Sequence, residues 1–155
     1  MKSYHYRECG LDYVYLANGF KRCKTASGEH VIMIDDTPGL HAAIRENVVG
    51  LPRPLTAQEF RFLRKELDVS QRQLASVVGV DEQTISMWER GNSPIQKSAE
   101  LWLRAWVKEC DSGKPAVREL TERLNALDRE LFELEKNREL EFSRRGSTWI
   151  QRAAA

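Results

Sequence analysis

No stretch of this chain reaches the roughly 20 consecutive apolar residues that a membrane-spanning helix needs. Its opening, Met1 to Gly10, is polar and aromatic and lacks the apolar segment of a signal peptide. A soluble, cytoplasmic chain with no membrane partner is therefore expected. Cysteine is scarce: Cys9, Cys23 and Cys110 are an odd count without framework spacing, which excludes a disulfide scaffold and points to reduced thiols in a cytosol. No C-x-x-C pair occurs. His5, Cys9, Cys23 and His30 are spaced irregularly for ligands, so no metal site is expected and the bland reading is buried thiols and exposed histidines. G-x-S-x-G, a phosphate loop and H-E-x-x-H are all missing, and the Asp35-Asp36 pair falls at a helix cap. The expectation is a chain with no catalytic residues, no cofactor and no enzymatic activity. An excess of either charge is missing too: 24 Lys and Arg face 23 Asp and Glu, a net +1. Bulk charge cannot attract a polyanion, so any affinity for nucleic acid must come from local placement of cations.

What is present suits one or two small domains. At 155 residues and 41% hydrophobic content the chain can bury a real core. The fold class expected is mainly α: a compact helical bundle, a small N-terminal α+β domain and a long C-terminal helix of coiled-coil type. Residues 1–35 read as a three-stranded β-meander, with Asn18-Gly19 and Ser27-Gly28 as turns and HVIMI as a short strand. Asp36 or Thr37 then caps a helix with Pro38 in its first turn and Leu40, Ala43, Ile44 and Val48 inward. Sheet and helix make a domain of residues 1–50. Gly50-Leu51-Pro52-Arg53-Pro54 cannot continue a helix and reads as a linker, opening a second domain over 51–110.

The second domain starts with a capping box, Thr56-x-x-Glu59, and a helix with a Phe60, Leu63, Leu67 stripe. Arg61, Arg64 and Lys65 read as its outer side. Ser70 caps the next helix, which buries Leu74 and Ala75 and ends at Gly79, where a left-handed residue costs least. Asp81 caps another helix, with Ile85 and Trp88 inward and a polar outer face, ending at Gly91. Ser93 then caps a helix running to about Cys110 with Ala99, Leu101, Trp102, Leu103 and Trp106 along an apolar face. Leu63, Leu74, Ile85, Trp88 and Trp102 would centre the bundle. A third segment, 114–145, reads as one long helix. Val117, Leu120, Leu124, Leu127, Leu131 and Leu134 recur at alternating steps of three and four, the seam of a coiled coil and the expected dimerisation surface. Ser143 to Ala155 reads as frayed.

Helix, glycine turn and helix with a polar outer face make a helix-turn-helix. The residues LRKELDVSQRQLA, GV and WERG, with Pro94 after them, resemble the XRE (Cro/phage repressor) family of DNA-binding regulators over Leu55 to Val107. A short N-terminal domain ahead of the motif is also similar in layout to the MqsA (YgiT-like) antitoxins, although their paired C-x-x-C ligands are missing here. Carried over by position, the XRE family's base-reading residues correspond to Glu82, Gln83, Ser86 and Met87. Glutamine can pair with adenine, glutamate can accept from cytosine and methionine can touch a thymine methyl. Helix starts and nearby side chains assign phosphate contacts to Ser70, Gln71, Arg72, Thr84, Arg90, Ser93 and Lys97, with Arg64 and Lys65 flanking.

The resemblance implies a sequence-specific DNA-binding transcriptional regulator, a repressor binding a palindromic operator as a homodimer, its two copies held by the leucine seam or the Trp-containing helix. The alternative is an antitoxin of a type II toxin-antitoxin module, whose N-terminal domain binds a toxin and whose helix-turn-helix regulates its own operon. A third use of residues 1–50 is to sense a small molecule. The partner expected in each case is double-stranded DNA.

Overall fold

The computed structural model describes residues 3–113, 122, 126–127, 129–130, 133 and 141–152. It divides into two compact units, residues 1–118 and 119–155.

The first unit opens with β1 (Tyr4–His5) and β2 (Tyr15–Leu16), paired antiparallel with Tyr4 opposite Leu16. Next come β3 (Phe20–Lys24) and β4 (His30–Ile34), a separate antiparallel pair with Phe20 opposite Ile34. The three-stranded meander expected over residues 1–35 is therefore replaced by two two-stranded ribbons. The reason is local. β2 is two residues long and pairs backward onto β1, while the Gly19 carbonyl accepts a hydrogen bond from the Asp35 amide at 2.8 Å. Asn18-Gly19 thus hands the chain from one ribbon to the next instead of folding β2 onto β3.

Helix α1 (Thr37–Val49) starts as the sequence indicates: the Asp36 carboxylate accepts from the Gly39 amide, with Pro38 in the first turn. A Cβ at position 39 would lie 2.2 Å from Asp36 Oδ2, the oxygen beside the one that caps, so a side chain there would push the capping carboxylate aside. Ile44, Val48 and Val49 are buried, whereas Ala43 is exposed. Helices α2 (Ala57–Glu66), α3 (Gln71–Val78), α4 (Glu82–Glu89) and α5 (Lys97–Asp111) follow. Thr56 and Glu59 form the expected capping box on α2. Helix α5 starts at Lys97, not after Ser93: Gln96 is extended and is the N-cap, and Ile95 packs against the core.

One apolar core runs through the unit. It joins Tyr6, Leu11 and Leu16 of the ribbon region and Val48 of α1 to Phe60 and Leu63 of α2, Ile85 of α4, and Leu103 and Trp106 of α5. Each such side chain contributes about 1.5–3 kcal/mol when fully removed from water. Leu101 departs from its expected place, at 54% exposure, and Trp102 is only half-buried. The stretch expected as a linker after Gly50 lies inside the compact unit of residues 1–118. What pins the intended linker is Arg104. Its guanidinium donates to the carbonyls of Val49 (2.9 Å), Leu51 (2.7 Å) and Arg53 (2.5 Å) and to Glu100 (2.8 Å). Glu100 in turn accepts from the Leu55 amide.

In the second unit, residues 122, 126–127, 129–130 and 133 are helical, and Leu127 is exposed. Val117, Leu120, Leu124, Leu131 and Leu134 of the expected seam lie outside the described residues. The long helix does not extend to residue 145 and the terminus is not simply frayed: β5 (Glu141–Arg145) and β6 (Thr148–Arg152) form an antiparallel hairpin. Gly146, with φ of 61°, makes the tight turn that sends the chain back.

Glu59 joins the ribbon region to α2. Fully buried, its carboxylate accepts from Arg53 at 2.6 and 2.9 Å, from the Tyr13 hydroxyl at 2.8 Å and from the Thr56 amide at 2.8 Å. Burial alone would push its pKa up. The hydrogen bonds from Arg53, Thr56 and Tyr13 outweigh it and bring the value from 4.5 down to about 2. A depressed carboxyl stabilises the folded state fully above the unfolded value and loses that contribution as pH falls through the folded one. Replacing Glu59 by Gln should therefore cost about 1–2 kcal/mol near neutrality, a figure reduced for solvent screening at half-exposed Arg53. Urea unfolding of both proteins should show the gap narrowing below pH 4.5 and closing near pH 2.

Candidate nucleic-acid interface

The two motif helices are held by local chemistry. Ser70 Oγ accepts from the Gln73 amide at 3.0 Å, and Gln73 Oε1 accepts from the Ser70 amide at 2.8 Å. This capping box takes two of the donors at the start of α3 and, by helix geometry, leaves those of Gln71 and Arg72. Gly79, at φ of 76°, ends α3, and its amide and that of Val80 both bond the Ala75 carbonyl. The chain therefore turns sharply into α4. Asp81 stands at the N-cap of α4 without a side-chain capping bond, and Glu82 supplies an acidic residue to the first turn.

Beneath them lies the Arg64–Glu89 pair. Arg64 Nε and Nη2 donate to the two carboxylate oxygens of Glu89 at 2.5 and 3.0 Å, and Nη1 donates to the Val69 carbonyl at 2.8 Å. Gln71 Nε2 adds a third donor to Glu89, at 2.8 Å. The two charged side chains are 10% and 2% exposed. One buried cluster thus joins α2, the turn before α3, the first residue of α3 and the last of α4. Trp88 meets Phe60 edge to face, ring centroids 5.8 Å apart, on the same inner side. Arg64 is therefore not on the outer side of α2 and cannot flank a phosphate. Its place was visible in the spacing, four residues after Phe60 and one after Leu63 on the apolar stripe.

With Ile85, Trp88 and Glu89 buried, α4 turns its other face outward. Glu82 and Gln83 are exposed, and Ser86 and Met87, one turn on, are half-buried. Helical spacing puts the four on one strip. Among the residues expected near phosphates, Ser70, Arg72, Arg90 and Lys97 are exposed, while Gln71, Thr84 and Ser93 are half-buried. The Gln71 amide nitrogen is already engaged by Glu89, and Ser93 caps no helix. Arg90 Nε donates to the Ser86 carbonyl at 3.3 Å, which folds its stem back along α4. Lys97 opens α5, whose N-cap Gln96 makes no side-chain capping bond.

The Cys and His residues do not gather. Cys9 Sγ points to the Tyr6 and Leu11 carbonyls, Cys23 Sγ to the Met33 sulfur, and His5 stacks on Tyr15 while bonding the Asp12 carbonyl. Among the described residues no group of three or more His, Cys, Asp or Glu could hold a metal ion, and no helix is long and apolar enough to cross a membrane.

Residues 60–105, 46 of the 155, match the helix-turn-helix family model. No curated protein and no solved structure gives a significant match. The matched span runs from Phe60, the aromatic partner of Trp88, to the middle of α5.

Breaking the buried pair from one side strands a charge. Arg64→Met should destabilise the protein by about 3 kcal/mol, and the double change Arg64→Met/Glu89→Leu should recover at least half of that. Urea unfolding of the two variants checks it.

Proposed function

We propose, from the premise that residues 60–105 are an XRE-type helix-turn-helix DNA-binding domain, that this transcription regulator is a repressor binding a palindromic operator as a homodimer. The observation carrying this reading is the outward strip of α4, Glu82, Gln83, Ser86 and Met87, lying over a scaffold buried down to its ions. Laid in the major groove, the strip offers a glutamine amide to adenine, a carboxylate to cytosine N4 and a thioether to a thymine methyl. Arg72, Arg90 and Lys97 are the exposed cations that would hold phosphates on either side, helped by the amides at the start of α3. The role is binding rather than catalysis, in the cytoplasm.

Two copies would place two α4 helices on half-sites about one DNA turn apart. The dimer rests on the leucine spacing from Val117 to Leu134 in the sequence. A chain ending at Ser112 should then sediment as a monomer where the full chain sediments as a dimer; equal sedimentation of the two would remove the seam from the scheme.

One feature favours the antitoxin as a second reading. On β4, Val31 and Met33 are 41% and 58% exposed on one face of the ribbon, an apolar edge of the kind a protein partner covers. Expression of the chain beside a neighbouring small reading frame that is toxic alone would separate the two readings.

Replacing Gln83 and Met87 together by Ala should lower affinity for a selected operator by about 100-fold, on the order of two base contacts. Affinity for random-sequence DNA and the thermal midpoint should hardly change. Electrophoretic shift at fixed salt and a thermal scan measure both, and a matched fall in the midpoint would assign these residues to the fold instead.

A further inference from the structure

The β5–β6 hairpin has no role in the scheme so far, and its surface is unusual for a ribbon. Paired in register, Phe142, Arg144 and Trp149 share one face, and Ser143, Arg145, Thr148 and Ile150 share the other. A two-stranded sheet that lies on a core shows apolar residues on one face and polar ones on the other. Here each face carries an arginine and a large apolar group. Phe142, Trp149 and Ile150 are 52%, 67% and 43% exposed, and both arginines are exposed. An isolated hairpin is marginally stable in water, and apolar groups displayed on both of its faces are open to a ligand that meets both.

We infer that the β5–β6 hairpin is a second DNA-contacting element, inserted in a groove of the duplex with Arg144 and Arg145 on phosphates and Trp149 against the groove wall. The major groove is about 12 Å wide and admits a two-stranded ribbon, whose two faces then meet opposite walls. Charge chooses this occupant. Residues 141–152 hold three arginines against the single Glu141, a net +2, so the segment is a short cationic ribbon suited to a polyanion. A second copy of the same ribbon would bring like charges together across the contact. The contacts expected are sequence-independent, complementing the reading strip of α4. The inference rests on the reading of the chain as a DNA-binding regulator.

The test uses the full chain, random-sequence duplex DNA and a series of sodium chloride concentrations. Arg144→Ala/Arg145→Ala should weaken binding about tenfold and reduce the slope of log K against log salt by about 2, since each phosphate contact contributes close to 0.9. Gln83→Ala/Met87→Ala should leave that slope intact. Acrylamide quenching, compared between the wild type and Trp149→Phe, isolates the signal of Trp149, which bound duplex should shield. An unchanged slope and an unshielded Trp149 in a chain that binds DNA overturn the hairpin assignment and leave α4 untouched. A normal slope with an altered sedimentation coefficient overturns it in favour of contact between copies. Failure of the wild type to bind any duplex sinks both assignments, whereas wild-type operator affinity in the Gln83/Met87 variant sinks the α4 reading alone.

Discussion

A guanidinium placed where a leucine would be expected decides how the motif stands. Arg64 occupies the apolar stripe of α2, and each of its three nitrogens donates a hydrogen bond, two to the oxygens of Glu89 and one to the Val69 carbonyl. A charge so buried costs several kcal/mol to desolvate and is tolerated only where each partner is in place. The geometry is correspondingly strict. Val69 lies just ahead of α3, Gln71 begins it, and Glu89 ends α4, so the relative placement of the three helices is written into one cluster of hydrogen bonds. An apolar side chain at 64 could fill the volume but would not dictate direction. For a motif whose purpose is to aim a strip of side chains, direction is the quantity that matters.

The same device recurs at each junction of the first unit. Glu59 ties the loop of Tyr13 and the segment of Arg53 to the start of α2. Arg104 grips three carbonyls of the 49–53 stretch from α5. His41 and Arg45 of α1 both bond Glu66 at the end of α2, Arg45 also reaches Asp111 at the end of α5, and the Tyr6 hydroxyl bonds His41. Long polar side chains thus add directed ties to elements that one apolar core already joins. They tie residues 1–50 to the helical bundle within one compact unit.

Local chemistry was legible in the sequence, and long-range chemistry was not. The Thr56–Glu59 box, the Ser70 cap, a cap at Asp36 or Thr37 and the Gly79 turn depend on residues within four positions of one another, and each is found, the cap of α1 at Asp36; the side-chain caps expected from Asp81 and Ser93 are not. Ile85 and Trp88 inward on α4 follow from the same short spacing. What spacing cannot reveal is a partner 51 to 66 residues away, as for Arg104 with Arg53 or Arg45 with Asp111. Prolines 52 and 54 correctly forbid a helix, but whether such a segment swings or is held depends on a side chain in α5. The two ribbons were misjudged for a related reason: Asn18-Gly19 specifies a turn, not which strand receives the chain after it. At the far end, the charged helical spacing ran on past the residues where strand formers such as Phe142, Thr148, Trp149 and Ile150 take over. At the candidate interface, the exposed strip of α4 was legible from periodicity, whereas the engagement of Gln71 by Glu89 was not.

On the proposed reading, these internal pairs also bear on how a chain of net charge +1 would discriminate between DNA sites. Arg45, Arg53, Arg64 and Arg104 are held by carboxylates within the fold and contribute little outward field. The cations left exposed around the motif, Arg61, Lys65, Arg72, Arg90 and Lys97, are accompanied by exposed Asp68, Asp81 and Glu82. Each phosphate contact raises affinity for every sequence alike, so a surface with few of them binds random DNA weakly. On the proposed reading, base-edge contacts from Gln83 and its neighbours would then form a larger fraction of the total. Specificity is the ratio of the two affinities, and it is set against the vast excess of competing sites in a genome. Holding arginines inside the fold therefore does more than brace the helices: on the proposed reading it would limit the non-specific background against which Glu82, Gln83, Ser86 and Met87 select a site.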